Sequence, residues 1–339
     1  MDERALLEHL IRGSATGDTL ARASGQTRAA VWKRIECLRE AGVAIDARPG
    51  RGYALSQPCE LLSSDSIRAA LSSKTRARLA ALEVAWSIDS TNSELLRRAA
   101  AAGSSRNDGR ASVLLAERQT GGRGRRGRTW ASPLAAHLYL SLARGFAGGL
   151  ARLGGLSLVA GIAAVEALHT LGYHAVRLKW PNDLVVMQSD GLHKLGGLLV
   201  EGGGEHAGPV RAVVGLGLNV RMPAAYAERI DQPWCDLASM ASAPALPSRD
   251  TIAAALLDHW LPALDQFDDA GLAPFLARYA AFDALDGQAV TVQGDTSSHT
   301  GTALGLADDG ALRVRLADGA ERRFHSGEVS VRRARATSA

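Results

Sequence analysis

Residues 121–130 read GGRGRRGRTW, with four glycines and four arginines in ten positions. The run includes the spacing G-x-G-x-x-G at 122–127, which in dinucleotide-binding proteins follows a strand, opens a helix and precedes an acidic residue about 20 positions later. Here the sequence after Trp130 begins no long helix, and the next acidic residue is Glu166. The run therefore does not indicate a Rossmann site, and no G-x-x-x-x-G-K-[ST] sequence in the chain indicates a P-loop.

The composition of this loop suits the binding of an anion. Its glycines let the loop fold over a ligand, while Arg123, Arg125 and Arg128 offer paired N–H donors to a carboxylate or phosphate. Trp130 adds a flat aromatic face for a purine ring. The alternative is a disordered arginine–glycine segment that binds nucleic acid through its charge. A single compact cluster between two predicted strands is less typical of such a segment.

The whole chain has 339 residues, enough for two or three domains of roughly 100 to 200 residues each. Hydrophobic residues make up 46% and charged residues 22%, which supports a packed core and argues against wholesale disorder. The net charge is only +4, so it says little about partners. Of the 39 cationic residues 35 are arginine, and four lysines are candidates for positions that need a compact ammonium: Lys33, Lys74, Lys179 and Lys194.

Targeting and cysteine signals are absent from the sequence. The first residues are acidic and are not followed by an apolar run, so they do not resemble a secretory signal. The apolar, uncharged stretch 153–165 is too short to span a membrane. Cys37, Cys59 and Cys235 show neither disulfide nor zinc spacing. We therefore expect a cytoplasmic protein with reduced thiols, no membrane segment and no intrinsic metal site.

Residues 1–60 are predicted to form a small domain of three helices followed by a β-hairpin. The third helix is predicted over Arg28–Ala41 with Thr27 as its N-cap. Three apolar residues at i, i+4 and i+7 form one buried stripe: Val31, Ile35 and Leu38. The hairpin carries two arginines at its glycine-containing tip. This order of elements predicts a winged helix-turn-helix, whose third helix enters the major groove of DNA.

Charge alone does not establish DNA binding by this domain, because residues 1–60 hold nine Lys and Arg against eight Asp and Glu. The interpretation depends instead on cations concentrated on the third helix and the hairpin. The alternative is a solvated surface with no partner. The residues predicted to face DNA are Thr27, Arg28, Lys33, Arg34, Arg48 and Arg51.

From residue 61 the pattern changes to a larger α/β domain, which we place at 61–284, followed by a small β domain at 285–339. Helices are predicted from Ser90, over Leu153–Leu171 and over Thr251–Phe267. Seven strands are predicted, at Leu82–Ile88, Ser112–Ala116, His137–Leu142, Val176–Trp180, Leu184–Met187, Leu195–Glu201 and Val210–Val220. Four short runs between Gly/Asp turns predict a terminal barrel: Ala289–Val292, Gly301–Leu306, Ala311–Leu316 and Arg322–Phe324.

Six motifs, in order along the chain, resemble those of the biotin protein ligases. The 121–130 loop is similar to the loop that holds biotin and biotinyl-adenylate in that family. The other five read DSTN at Asp89–Asn92, KWPND at Lys179–Asp183, KLGGLLVE at Lys194–Glu201, GLGLN at Gly215–Asn219 and GEVSVR at Gly327–Arg332. The N-terminal winged helix places the resemblance with the bifunctional biotin protein ligases that are also biotin operon repressors.

The resemblance implies an α/β (α+β) protein with three parts. These are an N-terminal winged helix-turn-helix, a central mixed sheet with helices like that of class II aminoacyl-tRNA synthetases, and a C-terminal SH3-like β-barrel. Its implied activity is that of a biotin–[acetyl-CoA-carboxylase] ligase. Biotin's carboxylate attacks the α-phosphate of MgATP to give biotinyl-5′-AMP, and a lysine of biotin carboxyl carrier protein then takes the biotinyl group and releases AMP.

Because two anions must meet in the first step, a cationic site is needed. The resemblance makes Arg125 and Lys194 catalytic, with Asp183 either near magnesium or orienting a lysine. It assigns eight residues to biotin: Ser90, Thr91, Asn92, Gln119, Arg123, Gly124, Arg125 and Lys194. It assigns six to ATP and the adenylate: Arg128, Trp130, Lys179, Asn182, Asn219 and Arg332. It also implies that the adenylate-bound form dimerises and represses biotin genes at operator DNA.

Two alternatives stay open at the level of sequence. A lipoate–protein ligase has a similar fold, but it needs no polar set for a ureido ring and usually has no DNA-binding domain. A biotin-sensing transcription factor without catalysis is the second, although Lys194 and the complete arginine loop argue against it. The stretch Arg97–Arg110 is longer than usual in the family, and the operator sequence does not transfer from the resemblance.

Overall fold

The computed structural model describes residues 2–48, 50–101, 109–147, 153–204, 210–240, 246–294, 297–326 and 330–333, of which 203–204, 330 and 332–333 are described by their backbone alone. Within these residues lie three β-sheets. They are a two-stranded hairpin near the N-terminus, a central seven-stranded sheet and a five-stranded sheet near the C-terminus.

The N-terminal part has the predicted order of elements. Its helices and strands are α1 (Glu3–Arg12), α2 (Gly17–Ser24), α3 (Arg28–Glu40), β1 (Ile45–Arg48) and β2 (Gly52–Leu55). Thr27 caps α3, since its side chain accepts a hydrogen bond from the amide of Ala30 at 3.2 Å. The predicted stripe of Val31, Ile35 and Leu38 is buried. The winged helix-turn-helix prediction is therefore confirmed.

The central sheet is mixed and is covered by helices. Its elements are α4 (Ser64–Ala70), α5 (Ser73–Ala77), β3 (Leu79–Ala85), α6 (Thr91–Ala101), β4 (Ala111–Ala116), β5 (Leu138–Phe146), α7 (Leu156–Thr170), β6 (Val176–Lys179), β7 (Asp183–Gln188), β8 (Gly191–Gly204), β9 (Val210–Leu218), α8 (Ala224–Ala227), α9 (Leu237–Met240), α10 (Arg249–Ala270) and α11 (Leu276–Phe282). The strand order is β3-β4-β5-β9-β8-β7-β6. Only the β3–β4 pair in this sheet is parallel.

The C-terminal part is an antiparallel sheet, in agreement with the predicted SH3-like domain. Its strands are β10 (Ala289–Gln293), β11 (Ser298–Leu306), β12 (Leu312–Leu316), β13 (Glu321–Phe324) and β14 (Ser330–Arg333). They lie in the order β13-β12-β11-β10-β14. The indole of Trp180 donates a hydrogen bond to the carbonyl of Gly310 at 3.0 Å, and this buried contact joins the small domain to the central one.

Several predicted boundaries were wrong. The strand predicted at Leu82–Ile88 is β3, which runs from Leu79 to Ala85, and Ile88 instead forms a separate parallel bridge with Gln119. Strand β8 is twice as long as the predicted Leu195–Glu201, because its pairing with β7 starts at the hairpin turn. The other shifts affect helix ends, where Gly155 starts α7 later and Ser248 starts α10 earlier than the hydrophobic periodicity indicated.

The two faces of the central sheet have different roles. On β5, Leu138, Leu140 and Leu142 belong to the main core, in which α7 and α10 pack on the sheet. Side chains on β5 alternate between the faces, so Tyr139 and Ser141 lie on the opposite one. That face is partly covered by α6, and the rest of it carries the polar residues described below.

A buried ion pair joins the start of the central domain to α10. Arg249 and Glu117 are each 2% exposed, and their side chains meet at 2.8 Å. Glu117 also accepts a hydrogen bond from the amide of Leu62, and Arg249 donates to the carbonyl of Glu60. The segment that connects the winged helix to the sheet is thus held by hydrogen bonds to these two buried side chains. Among the described residues, no helix has the length and apolarity needed to cross a membrane.

The fully buried His137 predicts an acid-sensitive step in stability. Burial lowers the pKa of its imidazole from 6.5 to about 3. Because the unfolded chain takes up this proton near pH 6.5, folding stability falls as the pH drops from 6.5 towards 3. Replacing His137 by Asn, whose side-chain oxygen can accept from the Val220 amide as Nδ1 does at 3.1 Å, should remove that loss.

The test is urea unfolding of both proteins between pH 7 and pH 4. The stability difference between the wild type and His137→Asn should narrow as the pH falls. His325→Asn, the same substitution at an exposed histidine, is the control. A difference that stays constant with pH would contradict the prediction.

Candidate active site

A buried row of polar side chains begins at the N-terminus of α6. Ser90, Thr91 and Asn92 are each about 4% exposed or less. The Thr91 amide donates to the Gln119 side-chain oxygen at 2.8 Å, and the Thr91 hydroxyl lies 3.1 Å from the same oxygen. The Ile88–Gln119 bridge is the reason that these residues meet. Four residues that the sequence assigned to one ligand therefore lie together.

Ser141, on β5, completes this row and was not predicted. Its hydroxyl lies 2.7 Å from that of Thr91 and donates to Asn92 Oδ1 at 2.6 Å. The residue sits in a strand of apolar residues, where a buried hydroxyl on the face opposite the core was the available signal. Linked hydroxyls and amides of this kind polarise one another and form a fixed pattern of donors and acceptors.

Glu201 is the second residue that sequence reasoning missed. It accepts from Asn92 Nδ2 at 2.8 Å and from Arg123 Nη2 at 2.9 Å. Arg123 also donates to the Ser93 hydroxyl at 2.6 Å. The charge of Arg123 is thus matched by a carboxylate, and this arginine anchors the loop to the sheet. The signal in the sequence was the acidic residue that ends the KLGGLLVE motif.

The 121–130 loop is folded back on itself. Arg123 and Thr129 form an antiparallel bridge, and the amide of Gly124 donates to the Arg128 carbonyl at 2.7 Å. The tip is a 3-10 turn in which Arg126 has a φ of 57°. In this geometry the arginines differ in exposure, because Arg125 is half-buried while Arg126 and Arg128 face solvent.

Arg125 and Lys194 form the cationic part of the site. Arg125 Nη1 donates to Asn182 Oδ1 at 3.3 Å, while Lys194 Nζ makes a 2.7 Å ion pair with Asp183. Burial lowers the pKa of the Arg125 guanidinium, and the charge of Asp183 opposes this shift. Asn182 and Asp183 are adjacent in the KWPND motif, so both cations are held by one turn. The three predicted catalytic residues therefore lie together.

Trp130 lies on the sheet beside this cationic group. Its ring centroid is 5.5 Å from Lys194 Nζ. A Cβ added at Gly217 would come within 2.5 Å of the indole ring, and one added at Gly215 would come within 2.2 Å of the Asn92 amide. The GLGLN motif thus has glycines where two predicted ligand-binding side chains rest on the backbone. The buried Trp130 Nε1 has no hydrogen-bond partner among the described residues, so it is a donor that a ligand can use.

Two of the residues that are predicted to bind the nucleotide also donate hydrogen bonds to backbone carbonyls. Asn182 Nδ2 donates to the Leu198 carbonyl at 2.6 Å, and Asn219 Nδ2 donates to the Cys235 carbonyl at 3.0 Å. Lys179 is the last residue of β6 and pairs across the ladder with Asp183. Arg332 lies on β14, but its side chain is outside the described residues, as is the segment 327–329 of the same motif. Residues 102–108 of the long Arg97–Arg110 stretch also lie outside them.

The donors of the site fit a cation that arrives bound to a nucleotide. In the described part of the chain no group of three or more His, Cys, Asp or Glu side chains could hold a metal. Asp183 is a single carboxylate, one-fifth exposed, already paired with Lys194. Mg²⁺ usually keeps several waters and binds one or two carboxylates together with substrate phosphates. One carboxylate beside the arginine-containing loop fits that mode.

The residues predicted to face DNA differ in their surroundings. Arg28 and Arg48 are exposed and pair with Asp18 at 3.3 Å and Asp46 at 3.5 Å. Thr27, Lys33 and Arg51 are also exposed. Arg34 is partly buried and donates to the side chain of Gln26, so it supports the turn before α3. Trp32 on the same helix is 57% exposed, and this large apolar surface was not predicted.

Comparison with known families divides the chain into three matched segments. Residues 3–54 match a helix-turn-helix (HTH) domain family. Residues 87–219 match the biotin/lipoate A/B protein ligase family, and residues 287–332 match the biotin protein ligase C terminal domain. The matched segments contain the winged helix, the polar site and the C-terminal sheet described above.

Individual relatives match over almost the full length. The "Bifunctional ligase/repressor BirA" of Salmonella typhimurium is 38% identical over 320 residues, covering 94% of this chain and 93% of that protein. The protein of the same name from Escherichia coli is 37% identical with the same coverage. Biotin protein ligase from Aquifex aeolicus in complex with biotin and ATP aligns with a TM-score of 0.62 at 26% identity, covering 76% of this chain and 100% of that one. The chain belongs to the biotin protein ligase family, and its winged helix and near full-length similarity place it among the bifunctional ligase/repressors of the BirA type.

Proposed function

We propose that this chain joins biotin to a lysine of biotin carboxyl carrier protein of acetyl-CoA carboxylase through biotinyl-5′-AMP. One observation carries the proposal: Arg125, Lys194 and Trp130 converge at one end of a buried row of amides and hydroxyls. The row suits a neutral polar ring, the cations suit a carboxylate and a phosphate, and the indole suits a purine. Because ATP is supplied in the cytoplasm, we place the reaction there.

In the first step a carboxylate oxygen of biotin attacks the α-phosphorus of ATP, and the bond to the bridging oxygen breaks to release pyrophosphate. Lys194 lies where its charge can follow the carboxylate into the acyl phosphate, and Asp183 orients its ammonium. Arg125, held by Asn182, neutralises charge on the phosphate. Such groups accelerate the step because they are fixed before charge develops.

Magnesium would enter with ATP and bind the phosphates and the Asp183 carboxylate. Its chemical contribution would be to neutralise the triphosphate and to stabilise the leaving pyrophosphate. If Asp183 bound magnesium, Lys194 would stay in place through the contact of its ammonium with the Trp130 ring and through its backbone hydrogen bonds to Pro233 and Cys235. In the second step an uncharged lysine amine of the carrier protein attacks the biotinyl carbonyl carbon. The bond to AMP breaks and the amine gives up one proton.

The buried row favours biotin over lipoate as the substrate. A ureido ring offers two N–H donors and a carbonyl acceptor, and these match a chain of Thr91, Ser141 and Asn92. The dithiolane ring of lipoate offers neither, so it would leave buried polar groups unpaired. A site built for hydrogen bonds rejects a ligand that lacks them by orders of magnitude. Ser90, Gln119, Arg123 and Gly124 complete the proposed biotin side, and Arg128, Lys179, Asn219 and Arg332 the nucleotide side.

The deciding experiment is ATP–pyrophosphate exchange with purified protein and magnesium, run with biotin and, in parallel, with lipoate. Exchange that depends on biotin supports the ligase proposal, and exchange that depends on lipoate alone would replace it. No exchange with either substrate would favour a sensor without catalysis.

The half-buried Arg125 is predicted to retain the adenylate. In Arg125→Gly the loop loses its bond to Asn182 and the charge that faces the phosphate, so biotinyl-5′-AMP should escape and label lysines indiscriminately. The measurement is biotin transfer to serum albumin together with the adenylate that stays bound after gel filtration. Arg126→Gly is the matched control, because it removes the same charge at an exposed neighbour whose φ of 57° glycine adopts without strain. Equal retention by both variants would contradict the prediction.

We further propose that the adenylate-bound form dimerises and represses biotin genes. The exposed Thr27, Arg28, Lys33, Arg48 and Arg51 would contact operator DNA, with Arg34 supporting the turn before α3. The support is that the ligand site and a DNA-binding helix share one chain. The test is DNA affinity for the region upstream of the biotin genes, measured with and without biotin plus ATP, with the mass of the protein followed by light scattering. DNA affinity that does not respond to biotin plus ATP would end the repressor proposal.

A further inference from the structure

Two loops from the active site meet at one end of the DNA-reading helix. The amide of Leu134 donates to the carbonyl of Ala41, just after α3, at 2.8 Å. The hydroxyl of Tyr226 donates to the carbonyl of Glu40, the last residue of α3, at 3.3 Å. Between them lies Gly42, with a φ of 103°. A junction of three chain segments thus forms at the C-terminal end of α3.

The first segment comes directly from the arginine loop. Leu134 stands four residues after Trp130, and it is 3% exposed because it is buried in the core of the winged helix. The intervening Ser132 is tied back to the loop, since its hydroxyl donates to the Trp130 carbonyl at 3.3 Å. A Cβ at Gly122 would approach the same hydroxyl to 2.8 Å. The arginine loop and a side chain inside the core of the winged helix therefore belong to one short, tethered segment.

The second segment begins and ends at the cationic group. Residues 220–236 leave the site after Asn219 and return to it, and we call them the excursion. The amide of Met222 donates to Asp236 Oδ2 at 2.7 Å and so joins the two ends of this segment. The end of the excursion binds the backbone of Lys194. The Lys194 amide donates to the Pro233 carbonyl, and the Lys194 carbonyl accepts from the Cys235 amide, each at 3.0 Å. Tyr226 lies within the excursion, so the segment touches the catalytic lysine at one end and α3 near the other.

The contact at the junction is tight while its surroundings are open. A Cβ added at Gly42 would lie 2.9 Å from both Pro133 Cβ and the Tyr226 ring. Beside it is a cavity of about 290 Å³, lined by both domains and including Val43, Leu55 and Leu134. The close contacts at Gly42 therefore lie directly beside unfilled space between the two domains.

We propose that Leu134 and Tyr226 are positioning residues that couple occupancy of the adenylate site to the end of the DNA-reading helix within a single protomer. The proposal rests on the proposed function, since it needs biotin plus ATP to bind. It differs from coupling through dimerisation because each contact lies inside one chain. The coupling passes through the hydrogen bonds to the carbonyls of Glu40 and Ala41 and through the Tyr226 ring beside Gly42.

The test is hydrogen exchange of the full-length protein with and without biotin plus MgATP, read at residues 121–130 and at Gly42–Val43. In the wild type, exchange should slow at both places, by about fivefold or more at Gly42–Val43, the low end of typical coupling between two sites. In Tyr226→Ala the slowing at 121–130 and the pyrophosphate exchange should persist, while the slowing at Gly42–Val43 should be lost. Tyr226→Phe keeps the ring contact with Gly42 but loses the hydroxyl that donates to Glu40, so it should retain only part of the slowing.

Arg229→Ala is the matched control, because Arg229 lies 5.3 Å over the Tyr226 ring without being part of the contact with α3. It should behave as the wild type. Slowing at 121–130 without slowing at Gly42–Val43 in the wild type would overturn this inference and leave the ligase proposal standing. Tyr226→Ala that matches the wild type at Gly42–Val43 would also overturn it. No slowing anywhere would overturn both.

Discussion

Replacing Lys194 by Gln is expected to lower the rate of biotin-dependent ATP–pyrophosphate exchange by about 10²- to 10³-fold, the usual effect of removing one preorganised group that meets developing charge. The loss should appear in kcat more than in the KM for either substrate. Lys194 lies 2.7 Å from Asp183 and faces Trp130, so it is held before the substrates arrive. Its role depends on charge at the transition state, and glutamine keeps a polar side chain without that charge.

The matched control for this experiment is Lys74→Gln. Lys74 is an exposed lysine on α5 that has no role in the proposed site. Thermal unfolding of both variants should remain close to that of the wild type, because neither lysine is part of the core. Exchange by Lys194→Gln at more than a tenth of the wild-type rate would show that Arg125 alone supplies the necessary charge.

Removing one partner of the buried Arg249–Glu117 pair is expected to give the largest loss of stability. Arg249→Ala leaves the Glu117 carboxyl 2% exposed and without the guanidinium that pairs with it, which typically costs about 3–5 kcal/mol. The loss should be visible as a lower urea midpoint of tryptophan fluorescence. Two contacts of the connecting segment, from Glu60 and Leu62, depend on the same pair. Limited proteolysis should therefore cut near residue 60 faster in the variant.

The matched control is Arg313→Ala, which breaks the exposed pair of Arg313 with Glu321 on the C-terminal sheet. Exposed pairs contribute about 1 kcal/mol or less, so this variant should unfold near the wild-type midpoint. The double variant Arg249→Met/Glu117→Leu removes both charges and should recover much of the loss. Equal midpoints for the two arginine variants would mean that the buried pair does not stabilise the domain.

The order of the elements could be predicted because local patterns report it. The stripe of Val31, Ile35 and Leu38 has the period of a helix, and Thr27 is a residue type that caps one. The ends of the elements could not be predicted as accurately as their order. Strand β8 is longer than its apolar run because pairing with β7 and β9 continues through glycines that no hydrophobicity pattern marks.

The candidate site was partly predictable for a related reason. Its arginines, lysine and tryptophan are unusual residues in short motifs, so they stand out in one dimension. Ser141 and Glu201 could not be assigned from the sequence, because their roles come from neighbours that are 49 and 109 residues away along the chain. Strand pairing brings residues that are this far apart in the sequence into contact.

By itself the amino-acid sequence determined the three-part architecture, the cationic loop at 121–130 and the residue types of the site. Only the tertiary structure decided how the arginines divide their roles, with Arg123 neutralised by Glu201, Arg125 half-buried beside Asn182, and Arg128 in solvent. It also decided that Leu134 and Tyr226 meet at the end of α3. The physical reason is that composition and periodicity act locally, whereas burial, charge pairing and contact between domains depend on which distant segments the folded sheet brings together.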